Sequence, residues 1–217
     1  MRQIFSIISY LFHPFLMPLL GLFLLFETYT LPFSIYKLDA LYYFPGQAKQ
    51  VLYVVLGILT CIAPGLSLLI MYWNKLISSL EMEDRKERTY PFILVTFYFI
   101  LAYIYLKLSI PEAYQHPALM SYFFGIILTF AVSFVINFYV KLSLHAAAAF
   151  GVCGMLLAYY QTQLDSNLNV ILIAIPLAGL VAGSRVYLKA HTFAETVLGM
   201  IVGFGVLYSV VKLQLYI

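Results

Sequence analysis

The sequence predicts an all-α fold: a polytopic integral membrane bundle of about seven transmembrane helices, forming one membrane-embedded domain over residues 1–217. Three observations carry that expectation. Hydrophobic residues make up 64% of the chain and charged residues only 10%, against about 45–50% and 25% in an ordinary soluble domain. Apolar runs of about 20 residues, the length that crosses a bilayer as a helix, recur from end to end. The few charges are clustered between these runs. Twelve Lys and Arg against nine Asp and Glu leave a net charge of +3, too small for a nucleic-acid footprint, so no nucleic-acid partner is expected. Cys61 and Cys153 both lie inside apolar runs, which argues against a disulfide framework and against a thiolate metal site.

Taken in order, the spans are Ile4–Phe26, Val51–Trp73, Pro91–Ser109, Ala118–Val140, Leu142–Tyr160, Leu168–Leu188 and Thr192–Leu213. In hydrocarbon every backbone N–H and C=O must be paired within the protein. Runs this uniformly apolar achieve that as helices, because barrel strands would alternate. The first span follows only Met1-Arg2-Gln3 and shows no small-residue cleavage site, so it is expected to be a retained helix and not a secretory signal. His13-Pro14 and Pro18 are expected to kink it. Glu27–Gln50 interleaves Tyr29, Tyr36, Tyr42 and Tyr43 with Lys37, Asp39 and Lys49, the composition of a segment in the headgroup layer. Small residues at helical spacing, Gly179/Gly183, Gly199/Gly203, and Ala146 to Ala149 with Gly151, predict close packing of the last three helices.

Ionisable groups in so apolar a chain persist where they face a cavity or one another, so their positions are the strongest functional signal. Three clusters stand out. Glu81-Met82-Glu83-Asp84-Arg85-Lys86-Glu87-Arg88 leads into the third span, Lys141-Leu142-Ser143-Leu144-His145 joins the fourth to the fifth, and Ser184-Arg185 with His191 and Glu195 straddles the sixth and seventh. Two spans separate each cluster from the next, so parity puts all three on one face of the membrane. The N-terminus shares that face and the C-terminus lies opposite. Arg85, Arg88, Lys141 and Arg185 are thereby gathered beside two histidines, a hydroxyl and a carboxylate. Converging guanidinium groups want an anion of high charge density, and phosphate fits their planar fork best. Two histidines beside it suggest a nucleophile and a proton donor. His13 and His116, each before a proline, read as structural, and Lys189 as an interfacial anchor.

These residues resemble the three-part signature of the type 2 phosphatidic acid phosphatase family. Its third part is Ser-Arg, five residues, His, three residues, Asp, and the chain matches that spacing in full with Ser184-Arg185, His191 and Glu195, Glu standing for Asp. The second part, Pro-Ser-Gly-His, survives as Ser143-Leu144-His145. In the first part, Lys, six residues, Arg-Pro, Arg88 matches, Pro91 comes late and Glu81 takes the place of Lys, with Arg85 or Lys86 as substitutes. The resemblance covers about residues 81–205. It implies that His191 attacks phosphorus and forms a phosphohistidine, that Glu195 holds the other ring nitrogen, and that His145 protonates the departing lipid oxygen. Arg88, Ser143 and Arg185 would bind the phosphoryl oxygens, and Lys141 and Arg85 join them by proximity in sequence. No metal ion or other cofactor is called for, because the arginines neutralise the charge. The substrate implied is a lipid monophosphate or diphosphate, such as phosphatidate, phosphatidylglycerol phosphate or a polyprenyl diphosphate, and the membrane implied is the plasma (inner) membrane.

Two other classes fit parts of the pattern. A magnesium-dependent prenyl or phosphoalcohol transferase would use Glu81, Glu83, Asp84 and Glu87 as ligands, although such sites draw further carboxylates from facing helices. A noncatalytic transporter or scaffold would keep the phosphate pocket without turnover. The positive-inside rule does not orient the site, because the basic residues that bias one face are those expected to bind phosphate.

Overall fold

The structure is a computed structural model that describes residues 1–36, 39–79 and 85–217. The first apolar run does not form one kinked helix. It forms two, α1 (Arg2–Leu11) and α2 (Met17–Glu27). The prolines explain the break: Pro14 has no N–H for a continuing helix, the His13 Nδ1 accepts the Phe15 N–H at 3.4 Å instead, and Pro18 sits in the first turn of α2, where its missing donor is harmless.

Next comes α3 (Gly46–Gly57), which passes through a single π turn at Ile58–Ile62 into α4 (Ala63–Trp73). Then follow α5 (Arg85–Leu108), α6 (Pro117–Asn137), α7 (Leu144–Tyr160), α8 (Asn169–Tyr187) and α9 (Phe193–Lys212). Among the described residues five helices are long and apolar enough to cross a membrane: Gly46–Trp73, Glu87–Leu108, Pro117–Asn137, Asn169–Tyr187 and Phe193–Lys212. The expected seven therefore become five of full length plus two shorter apolar helices, α2 of 11 residues and α7 of 17. At about 1.5 Å per residue neither reaches the roughly 30 Å of a hydrocarbon core.

Helix α7 is the centre of the bundle, buried nearly all round, with α9 pressed along it. A Cβ on Gly203 would lie 1.9 Å from the Ala147 carbonyl oxygen, one on Gly199 2.5 Å from that of Ser143, and one on Gly154 2.5 Å from that of Phe204. The two backbones touch, which only glycine permits. The sixth span differs from expectation, because Gly179 and Gly183 have nothing within 4 Å of an added Cβ. Tight packing thus holds for α7 and α9, whereas α8 lies against α7 and α1 with its glycines turned outward.

At one end of the bundle, short strands β1 (Thr30–Leu31) and β2 (Asp165–Ser166) pair antiparallel, and the Tyr159 hydroxyl at the end of α7 accepts the Leu41 N–H at 2.9 Å. This draws part of the tyrosine-rich segment into the core, burying Ala40, Leu41 and Phe44. His116 caps α6 there, its Nδ1 accepting the Ala118 N–H at 3.1 Å and its Nε2 facing the Asp39 carbonyl at 3.0 Å. The C-terminal residue Ile217 meets Tyr103 of α5 near the same end. The described residues of the polar clusters occupy the other end.

Candidate active site

The last turn of α8 sets the third cluster. Lys189 adopts a left-handed conformation (φ 59°), the Lys189 N–H bonds to the Val186 carbonyl at 3.0 Å, and the Ala190 N–H bonds to the Arg185 carbonyl at 3.0 Å. This is a Schellman termination. The His191 N–H also reaches the Arg185 carbonyl, at 3.3 Å, so the five-residue interval between Arg185 and His191 is the length of this turn. Helix α9 then begins with a capping box: Thr192 Oγ1 accepts the Glu195 N–H at 3.2 Å, and Glu195 Oε2 accepts the Thr192 N–H at 2.9 Å.

The same Glu195 Oε2 lies 3.4 Å from His191 Nδ1, but a nearer acceptor is present, the Lys141 carbonyl at 3.1 Å. Two acceptors facing Nδ1 put the proton of the neutral imidazole there and leave the lone pair on Nε2. The second cluster is locked to the third through its backbone, the Ser143 N–H bonding to the Glu195 carbonyl at 3.3 Å. Ser143 itself is fully buried as the N-cap of α7, its Oγ 3.5 Å from the Ala146 N–H.

His145, in the first turn of α7, lies in electrostatic reach of Arg185, His191 and His13 and beside the backbone of Ser9. The His13 ring stands nearly perpendicular to it, with 5.2 Å between centroids. Arg185 Nη1 donates to the Ser9 hydroxyl at 2.6 Å. The structure thus brings together Lys141, His145, Arg185, His191 and Glu195 and adds Ser9 and His13, which sequence reasoning left out. The available signal was their spacing: Ser9 in the last turn of α1 and His13 just beyond it are four apart, polar residues in a mostly apolar stretch.

Arg88 is buried in α5 and donates to Asn137 Oδ1 at 2.9 Å, which ties it to the end of α6 four residues before Lys141. Arg85 opens α5, but its side chain, like Glu81, Glu83 and Asp84, lies outside the described residues. Glu87 Oε2 accepts from the Ser78 N–H and hydroxyl at 3.0 and 2.8 Å. Among the described residues no three His, Cys, Asp or Glu side chains group as a metal site.

Two histidines of the inter-helix connections, His191 and His13, are held neutral. Burial, then the nearby Lys141 and Arg185 charges, push the His191 pKa down to about 4, against the opposing pull of the Lys141 carbonyl and Glu195. Burial and Arg185 push His13 down to about 4 as well. A neutral imidazole whose Nε2 carries the lone pair, beside a guanidinium, is suited to attack an electrophile that the guanidinium binds.

Compared with known families, residues 136–217 match the model of the PAP2 superfamily. The match runs from the end of α6 to the C-terminus and includes the second and third clusters, as in a divergent member of the type 2 phosphatidic acid phosphatase family. No curated protein matches the chain, and no solved structure does. Five apolar helices of membrane-spanning length and this match support an integral membrane protein whose residues 136–217 are similar to a phosphatase superfamily.

Proposed function

We propose that this divergent relative of the type 2 phosphatidic acid phosphatases hydrolyses a lipid phosphate through a phosphohistidine on His191, without a metal ion. The single observation that carries the reading is the Nδ1 of His191 held by the Lys141 carbonyl and faced by Glu195, which supports Nε2 as the nucleophile. In the first step Nε2 forms a bond to phosphorus and the bond from phosphorus to the lipid oxygen breaks, His145 entering as the imidazolium, giving that oxygen a proton and becoming neutral. In the second, water attacks the phosphohistidine, His145 takes the water's proton, and phosphate leaves with His191 restored. Arg185, Arg88, Arg85, Lys141 and the Ser143 end of α7 are assigned to the phosphoryl oxygens, whose charge they offset in the transition state.

A lipid substrate is supported by position. The site lies at the end of the bundle, which in a bilayer would bring it to the headgroups, and an apolar cavity of about 360 Å³ between α2, α7 and α8 is lined by Phe12, Ala149 and Val181. A hydrocarbon chain attached to the bound phosphate would enter there. We place the protein in the plasma (inner) membrane with the site at the outer face, and a reporter fused after Ile217 should then read as cytoplasmic.

The test is hydrolysis of phosphatidate, phosphatidylglycerol phosphate and a polyprenyl diphosphate by the purified protein, with and without chelator. Turnover of one of them that survives chelation and is blocked by vanadate is expected. Strict dependence on magnesium would move the assignment to a transferase, and phosphate binding without turnover to a noncatalytic protein.

A further inference from the structure

The N-terminal segment lies outside the part of the chain that matches the phosphatase family, yet it reaches two groups on which the phosphatase reading depends. One residue makes both contacts. Ser9 accepts from Arg185 Nη1 through its hydroxyl at 2.6 Å, and its main chain lies beside the His145 ring. A bond this short from a guanidinium is at the charge-assisted end of the range. Nor is it a loose surface contact, because Ser9 is only 5% exposed. Helix α1 is docked on the end of α8: the Phe5 ring meets that of Tyr187, two residues beyond Arg185, at 4.4 Å between centroids. Its other side, with Ile4, Ile7, Tyr10 and Leu11 exposed, is apolar and suited to lie in the interface of a bilayer. One turn further on, His13 packs edge to face with His145.

A guanidinium is a flat fork of five donors, so anchoring one of its nitrogens fixes the plane in which the others are offered. An arginine held in this way loses less freedom when it takes an anion, which tightens binding without a new contact to the anion. The serine keeps its own hydrogen while accepting, so it does not neutralise the charge that the anion needs. The Ser9 main chain also lies beside His145, and together with the His13 ring it limits the directions the imidazole can take.

We propose that Ser9 is a positioning residue of the anion site, setting the plane of the Arg185 guanidinium and the orientation of His145, so that α1 and His13 form a wall of the pocket otherwise built from α7, α8 and α9. This rests on the lipid phosphatase reading.

The experiment uses the full-length protein in lipid nanodiscs and reads two quantities: direct binding of inorganic phosphate by calorimetry, and kcat and KM on a lipid phosphate. Ser9→Ala is expected to weaken phosphate binding about three- to tenfold, the size of one lost hydrogen bond, and to raise KM more than it lowers kcat. Ser9→Thr should restore binding to within about twofold. In an Arg185→Lys background Ser9→Ala should cause no further loss, because the serine acts through the guanidinium. If Ser9→Ala does not fold, Ser9→Cys, close in shape and a poor acceptor, is read in its place. Equal losses in both backgrounds, or no loss in the wild-type background, would overturn the proposal. Tighter phosphate binding by Ser9→Ala would also overturn it, making Ser9 a competitor for the guanidinium. If the wild type binds phosphate but hydrolyses no lipid phosphate, the phosphatase reading fails while the Ser9–Arg185 linkage is still decided by calorimetry. If the folded wild type binds no phosphate, both fail.

Discussion

The Lys141 carbonyl accepts the Nδ1 proton of His191 at 3.1 Å, across fifty residues of chain. The turn between α6 and α7 therefore takes part in a task that the sequence assigns to Glu195 alone. Glu195 faces the same nitrogen at 3.4 Å while its carboxylate also caps α9.

This sharing sets the effect of neutralising the acid. In a serine-protease triad, where one carboxylate holds the histidine, the amide substitution costs roughly 10⁴-fold. Here the carbonyl keeps the tautomer, and what is lost is stabilisation of the cationic phosphohistidine. Glu195→Gln is expected to lower kcat about ten- to a hundredfold, measured under steady-state turnover with unchanged phosphate binding. A loss near 10⁴-fold would mean that the carboxylate, not the carbonyl, governs the ring.

Thr192 separates capping from catalysis. Thr192→Ala removes the side chain that accepts the Glu195 N–H and should destabilise the protein by about 1 kcal/mol. Because the Schellman turn before it holds His191 independently, kcat should fall much less than in Glu195→Gln. Thermal unfolding beside turnover checks this.

The contact of α7 with α9 gives a paired test of packing. Gly203→Ala places a methyl 1.9 Å from the Ala147 carbonyl oxygen, whereas Gly179→Ala meets nothing within 4 Å. The first is expected to destabilise by about 3 kcal/mol or more and the second by less than about 0.5 kcal/mol. Unfolding of both variants in one detergent compares them directly.

The acid dependence is read from two of the inter-helix histidines, His191 and His13. Each has a folded pKa of about 4 against 6.5 for the free side chain. Between those values the unfolded chain binds protons that the folded one does not. Stability that is fully present above pH 6.5 is therefore lost as pH falls toward 4, by on the order of 2–3 kcal/mol per histidine. Replacing His191 or His13 with Asn should each flatten that decline. For catalysis, the acid limb of kcat/KM due to the nucleophile should lie near pH 4, well below the ordinary histidine range.

How much of this could be read from the sequence depends on what each residue needs from its neighbours. Parity along the spans was enough to put Lys141, His145, Arg185 and His191 at one end, because helix direction alternates whatever the packing. The Arg185 to His191 interval was legible as a spacing, although its cause, a left-handed Lys189, was not, since lysine carries no signal for that conformation. Composition cannot tell a kink from a break, so the division at Pro14 and the docking of α1 on α8 were missed. With them went Ser9 and His13. Gly179 and Gly183 misled for a related reason: a small residue permits close approach without requiring it, and the partner backbone was elsewhere.

The most direct test is to find the phosphate on the enzyme. The protein is mixed with an aryl phosphate, quenched in base, where phosphohistidine survives, and mapped by mass spectrometry. The His145→Ala variant, which does not need a proton donor for so good a leaving group but lacks the base for the second step, should accumulate phosphate on His191. Wild type should show it at lower occupancy, and His191→Ala none. Phosphate on another residue, or unimpaired turnover by His191→Ala, would contradict the assignment of His191 as the nucleophile.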